Sequence, residues 1–145
     1  MFPGGGIYHA TKYAVEAISD ALRFEVKGFG VDVILIEPGL IRTSFGTTAA
    51  GGVSEAGEGE GDYAQFNAHV ASSTAEIYES GGPIARLGGP PEAVAKVIDK
   101  ALSAQRPRAR YTVTPSAKVL ITNRRLLPDR AWDALMRQQF PSPGR

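Results

Sequence analysis

Apolar residues recur along the first thirty positions with a helical period. Ala10, Ala14, Ala17 and Ala21 form one stripe of small side chains, and Val15, Ile18, Leu22 and Val26 form a bulkier stripe beside it. Spacings of three and four residues put each set on one helix face, so the pattern predicts an amphipathic helix over residues 7–27. Gly28 and Gly30, on either side of Phe29, supply its stop. The pattern then changes. Val31-Asp32-Val33-Ile34-Leu35-Ile36 is a near-continuous and mostly β-branched run, which predicts a strand over 31–36 buried on both faces, as in a parallel sheet. Glu37-Pro38-Gly39 ends it sharply.

From residue 44 to 62 the chain is rich in Gly, Ala, Ser, Thr and Glu and shows no apolar period, which predicts a long mobile loop of the kind that covers a functional cleft. Over 62–80 the spaced apolar residues Tyr63, Phe66, Val70, Ile77 and Tyr78 predict one or two helical pieces over that cleft. Pro90-Pro91-Glu92 opens a helix over 91–104, with Ala93, Val94, Val97, Ile98, Ala101 and Leu102 on its inner side. Proline fits a first turn because the missing amide has no intrahelical partner there. Arg106 to Arg110 reads as a basic turn, residues 110–114 as a short strand, and residues 116–140 as terminal helices containing Trp132, Leu135 and Met136. There are no internal repeats. Strands joined through helices indicate an α/β fold with a parallel crossover. Two strands are few for a sheet, so the pattern fits part of a larger one.

Composition narrows the class without naming a function. The 145 residues are 43% hydrophobic and 21% charged, which is ordinary globular composition. Sixteen basic against fifteen acidic side chains give a net charge of +1, too small a field to favour nucleic acid or an anionic membrane. The absence of cysteine excludes disulfides, thiolate metal sites and a cysteine nucleophile. The opening MFPGGGIYHATK lacks the pattern of a signal peptide, and no run is long enough to span a membrane. A cytoplasmic setting without nucleic-acid or membrane partners is the expectation.

The candidate chemistry lies at the start of the first helix. Tyr8 and Lys12 are four residues apart and project to the same side. A phenol is a poor base near neutral pH, but a neighbouring ammonium favours its anion and suits it to exchange a proton with an alcohol or carbonyl oxygen. On spacing alone the pair reads as a simple surface pair. Context adds to it: Pro3-Gly4-Gly5-Gly6 precede the tyrosine, Ala10-Thr11-Lys12-Tyr13-Ala14 surround the lysine, and the apolar strand ends in Pro38-Gly39.

In these residues the chain resembles the short-chain dehydrogenase/reductase family, classical type, over residues 1–115 and most closely from Pro3 to Thr43. The resemblance implies the C-terminal part of a Rossmann-type doubly wound parallel sheet, about two strands with flanking helices in a single partial domain over 1–145. It implies an NAD(P)-dependent oxidoreductase, with Tyr8 as catalytic acid/base and Lys12 tuning it and holding the nicotinamide ribose. NAD or NADP would be the cofactor of the complete protein. Pro38 and Gly39 would pack by the nicotinamide ring, the Ile41 backbone would meet the carboxamide, and the Thr43 hydroxyl would reach carboxamide or phosphate. Glycine at the turn would let backbone approach the flat ring. The segment from Arg110 to Lys118 looks like that of 17β-hydroxysteroid and retinol dehydrogenases, which implies a bulky apolar alcohol or ketone as substrate. Phe66 and Val70 would then help to cover the substrate, although the same residues could simply seal a core.

The family's first strand, glycine-rich turn and following helix, which hold the cofactor pyrophosphate, have no counterpart here. Its serine and asparagine ahead of the tyrosine would fall before Met1. The chain is therefore expected to carry half of a reaction centre and to work as a homo-oligomer or with a separate N-terminal half; the alternative is a non-catalytic module pairing through its helices. No metal site is expected, His9 and His69 reading as surface or packing histidines. Arg106, Arg108 and Arg110 read as a solvated basic turn, and Arg124, Arg125, Arg130 and Arg137 as the solvent face of the terminal helices.

Overall fold

Pro3 and Gly4 make a turn ahead of the first helix in the computed structural model, which describes residues 3–45, 48, 51–52, 61–79 and 85–143. Gly4 adopts a left-handed φ of 85°. A Cβ there would lie 2.7 Å from Val70 Cγ1, so only glycine lets the turn rest on that side chain. Helix α1 (Gly6–Glu25) follows, with Gly5 at its N-cap and no side chain capping it. One 3₁₀ turn at Lys27–Phe29 extends it, and Gly30 takes the left-handed stop at φ 76°.

Strand β1 is Leu35–Glu37, shorter than the 31–36 run, and its three residues are half-buried rather than enclosed on both faces. A strand needs a ladder as well as propensity. Strand β2 (Arg110–Thr112) supplies only three partners in parallel: Leu35 faces Arg110, Ile36 faces Tyr111 and Glu37 faces Thr112. Among the described residues no second strand lies on the other side of β1. The branched residues 31–34 therefore approach the sheet without joining it.

The crossover between the strands runs through α2 (Ala64–Glu79), a 3₁₀ turn at Ala85–Leu87 and α3 (Pro91–Leu102), and α3 packs on β1. Parallel strands require such a connection. The result is an α/β fold, with a parallel two-stranded sheet and flanking helices that form part of a Rossmann-type arrangement. Pro91 occupies the first turn of α3, with Glu92 beside it and Lys100 in the last turn, each placed to suit the helix dipole. Most of the loop expected over 44–62 lies outside the described residues. Within it Phe45, Thr48, Gly51 and Gly52 are helical, and the Thr48 amide donates to the Ser44 carbonyl at 3.1 Å.

Helices α4 (Pro115–Leu126) and α5 (Asp129–Gln139) close the chain. Trp132 and Met136, one turn apart on α5, are buried together with Val70, Ala101 and Ala117. Arg124 departs from the solvent face expected of the terminal arginines. Its guanidinium sits 5.7 Å from the centre of the Trp132 ring and pairs with Asp129 at 3.0 Å. Among the described residues, no helix is long and apolar enough to cross a membrane.

Candidate active site

Tyr8 stands in the first turn of α1 and remains 46% exposed. Lys12 lies one turn on, with its Nζ 5.4 Å from the centre of the Tyr8 ring. The helix thus brings the two side chains together on an open face, the ammonium over the aromatic ring. The Tyr8 carbonyl accepts a 2.7 Å hydrogen bond from the Thr11 hydroxyl. Two rings flank the phenol: His9 edge-on at 5.6 Å and Phe45 tilted at 5.8 Å. Partial burial holds the His9 imidazole below its ordinary range.

Phe45 also ties Tyr8 to the segment that follows β1. Pro38 is exposed there, while Gly39, Leu40 and Ile41 are half-buried. Ile41 forms an isolated parallel bridge with Gly89. The Gly89 amide donates to the Leu40 carbonyl at 2.9 Å, and the Arg42 amide donates to the Gly89 carbonyl at 3.0 Å. In a parallel bridge the central residue's own N–H and C=O face the opposite edge. Ile41 therefore presents a donor and an acceptor away from Gly89, a pairing that fits a primary carboxamide. The Thr43 oxygen accepts a 3.3 Å bond from the Phe45 amide, which leaves its own proton free to be donated.

Gly39 has a packing role as well as the expected one. A Cβ at Gly39 would overlap Ser116 Oγ, Thr114 Oγ1 and the Ala117 amide. The missing side chain lets the turn approach the N-terminus of α4 closely.

Arg110 also differs from the solvated turn expected for it. It lies in β2, and its guanidinium bonds Glu16 at 2.9 Å and Asp20 at 2.8 Å, both on α1. Its Nε is 3.5 Å from Glu37, the residue before Pro38. One cation thus links the helix bearing Tyr8 to the end of β1. Burial pushes the Glu37 carboxyl up, reinforced by the Glu16 charge and opposed by Arg110 and Arg125. Hydrogen bonds from Arg110 and then Arg23 hold Asp20 down at about 2, against an ordinary 3.8. A carboxylate depressed in the folded state stabilises it above the ordinary value, and that contribution is lost as pH falls from 3.8 toward about 2. Carboxyl-resolved NMR titration is expected to place Asp20 near 2 and to show its midpoint rising toward 3.8 in Arg110→Gln.

Phe66 and Val70 lie on α2 but in different surroundings. Val70 is 5% exposed and seated under Gly4, a packing position. Phe66 lines a cleft of about 380 Å³ together with Asp62, Gln65 and the tail residues Pro141 and Pro143. His69 bonds the Gln139 carbonyl at 2.7 Å and meets the Phe140 ring edge-on at 6.0 Å, fastening α2 to the tail.

Residues 1–51, which contain Tyr8, Lys12 and the Pro38-Gly39 turn, match the family model described as short chain dehydrogenase. Beyond that stretch the chain is similar along most of its length to curated oxidoreductases. Over 131 residues (90% of the chain) it is 38% identical to an NADPH-dependent 3-dehydrocapnine reductase of Ornithobacterium rhinotracheale, covering 43% of that protein. It is 37% identical over 134 residues (92% of the chain) to the uncharacterized oxidoreductase YbbO of Escherichia coli K12, covering 42% of it. Retinol dehydrogenase 16 of Rattus norvegicus is 32% identical over 148 aligned positions, which take in 98% of the chain and 45% of that enzyme. The chain spans less than half the length of these relatives.

Proposed function

We propose that this chain supplies the acid–base and nicotinamide-facing parts of an NAD(P)-dependent oxidoreductase that interconverts a carbonyl compound and a secondary alcohol. The observation that carries the reading is the stacked Tyr8–Lys12 pair on an open helix face, joined through Phe45 to a turn with an outward-facing Ile41 peptide edge. In the direction of reduction, Tyr8 gives its phenolic proton to the substrate oxygen. Lys12 stabilises the phenolate left behind and donates to ribose hydroxyls. The Ile41 N–H and C=O take the carboxamide, Pro38 and Gly39 border the ring, and the Thr43 hydroxyl donates to carboxamide or phosphate. The cofactor, when bound, exchanges a hydride with the substrate carbon. The cofactor requirement in the name of the Ornithobacterium relative favours NADPH. Phe45 beside the phenol, with Phe66 on α2, favours a bulky apolar ketone or alcohol. A cysteine-free chain fits a reducing, cytoplasmic setting.

Assembly of this chain with the nucleotide-binding half of a relative tests the reading. Consumption of NADPH with a bulky ketone, dependent on both parts, is the expected result. A well-folded assembly that oxidises no reduced nicotinamide across a panel of ketones would overturn it.

One observation favours a second reading, a module that pairs through its helices. Helix α1 has no buried residue, and Ile18 and Phe24 are 64% and 87% exposed. Apolar exposure of that extent along one helix marks an association surface. Light scattering is expected to show concentration-dependent association that Ile18→Glu weakens. A monomer at all concentrations removes this reading and leaves the enzymatic one intact.

A further inference from the structure

We infer that the buried hydroxyls of Thr114 and Ser116 are positioning residues that fix the Leu40–Ile41 peptide edge for the nicotinamide carboxamide, an inference that rests on the oxidoreductase reading of that turn. Both side chains are 2% exposed, in a chain where most polar groups meet water. A hydroxyl buried this deeply requires partners, and here the partners are specific. Ser116 Oγ accepts from the Leu40 amide at 3.0 Å, across 76 residues of sequence. Thr114 Oγ1 lies 2.8 Å from Ser116 Oγ and caps α4 by accepting from the Ala117 amide at 3.4 Å.

Helix capping needs Thr114 but gives no reason for Ser116, whose bond leaves the helix for the turn. The Leu40 carbonyl is held as well, since it accepts from the Gly89 amide at 2.9 Å. With the N–H of Leu40 on Ser116 and its C=O on Gly89, the orientation of the following peptide is determined. The Ile41 donor and acceptor are left facing outward. Thr114 touches both sides of this clamp, because its Cγ2 lies 3.1 Å from where a Gly89 Cβ would stand while its hydroxyl meets Ser116. Gly39 has no side chain, and one would overlap these same hydroxyls.

Amide hydrogen exchange by NMR on the full chain tests the clamp without any assay of activity. In Ser116→Ala the Leu40 amide is expected to exchange roughly five- to tenfold faster, while the Arg42 and Gly89 amides, bonded on the other side, keep their rates. Thr114→Val keeps the shape and removes the hydroxyl, so it should also accelerate Leu40. Thr114→Ser keeps the hydroxyl and should restore the wild-type rate. Unchanged Leu40 exchange in Ser116→Ala, equal acceleration of all three amides, or failure of Thr114→Ser to rescue would each overturn the inference. NADPH added to the wild-type chain assembled with the nucleotide-binding half of a relative is expected to shift the Ile41 amide resonance, and to shift it less in the same assembly carrying Ser116→Ala. An Ile41 shift equal in both proteins overturns the positioning role. No Ile41 shift in the wild type removes the nicotinamide reading of the turn, a failure separate from that of the exchange test.

Discussion

Tyr8→Phe is expected to lower ketone reduction by the assembled enzyme about 10²–10⁴-fold, the range that a general acid contributes. The substitution removes one oxygen and keeps the ring, so the contacts with His9 and Phe45 and the Lys12 ammonium over the ring are retained. Tyr8 is half exposed, and loss of its hydroxyl leaves no buried donor unpaired. Thermal stability and the KM for cofactor should therefore stay near wild type while kcat falls, the signature of an interaction made in the transition state. Lys12→Met should act differently. It removes a ribose donor as well as the charge beside the phenol, so the cofactor KM should rise as kcat falls. Steady-state kinetics at saturating and limiting NADPH separate the two patterns. Full activity in Tyr8→Phe would show that another group moves the proton, and the oxidoreductase role of this helix face would fall with it.

The local features of the chain were legible because they depend on neighbours in sequence. The stripes of α1, the first-turn proline of α3 and the Pro38-Gly39 stop each involve residues within a turn or two of one another. What the pattern could not show depends on distant partners. The run from Val31 to Ile36 carries strand propensity throughout, yet only Leu35 and Ile36 of it find a ladder, since β2 offers three residues. Arg110 looked like its neighbours Arg106 and Arg108, and nothing local distinguishes it. Its role comes from Glu16 and Asp20, which lie 94 and 90 residues away. One signal was available. Tyr8, Lys12, Glu16 and Asp20 recur every four residues, so the stripe that begins with the candidate acid/base ends in two carboxylates that call for a cation. Phe45 could have been found too, as an aromatic side chain two residues beyond Thr43. Ser116 could not, because a serine after Thr-Pro reads as ordinary helix-start composition until the Leu40 amide is placed against it.

Among the described glycines, Gly39→Ala is expected to be the most destabilising change, by about 1–3 kcal/mol, the usual range for forcing a methyl into closed packing. The argument is steric and not conformational, since the positive φ values among the described glycines belong to Gly4, Gly30 and Gly61. Two of the three atoms in the way are hydroxyl oxygens committed to each other and to Leu40. The third is the Ala117 backbone amide, which can retreat only if the first turn of α4 moves with it. Relief in any direction therefore breaks the Thr114 cap, the Ser116 bond or both. Gly28→Ala provides the control, because no atom lies within 4 Å of a Cβ there, and that change should be neutral or slightly stabilising. Ser116→Ala removes one overlapping oxygen, so the double variant Gly39→Ala/Ser116→Ala should lose less stability than the two single losses added together. Urea denaturation of the four proteins measures that coupling. Strict additivity, or a Gly39→Ala protein as stable as Gly28→Ala, would show that the turn does not press on the hydroxyl pair.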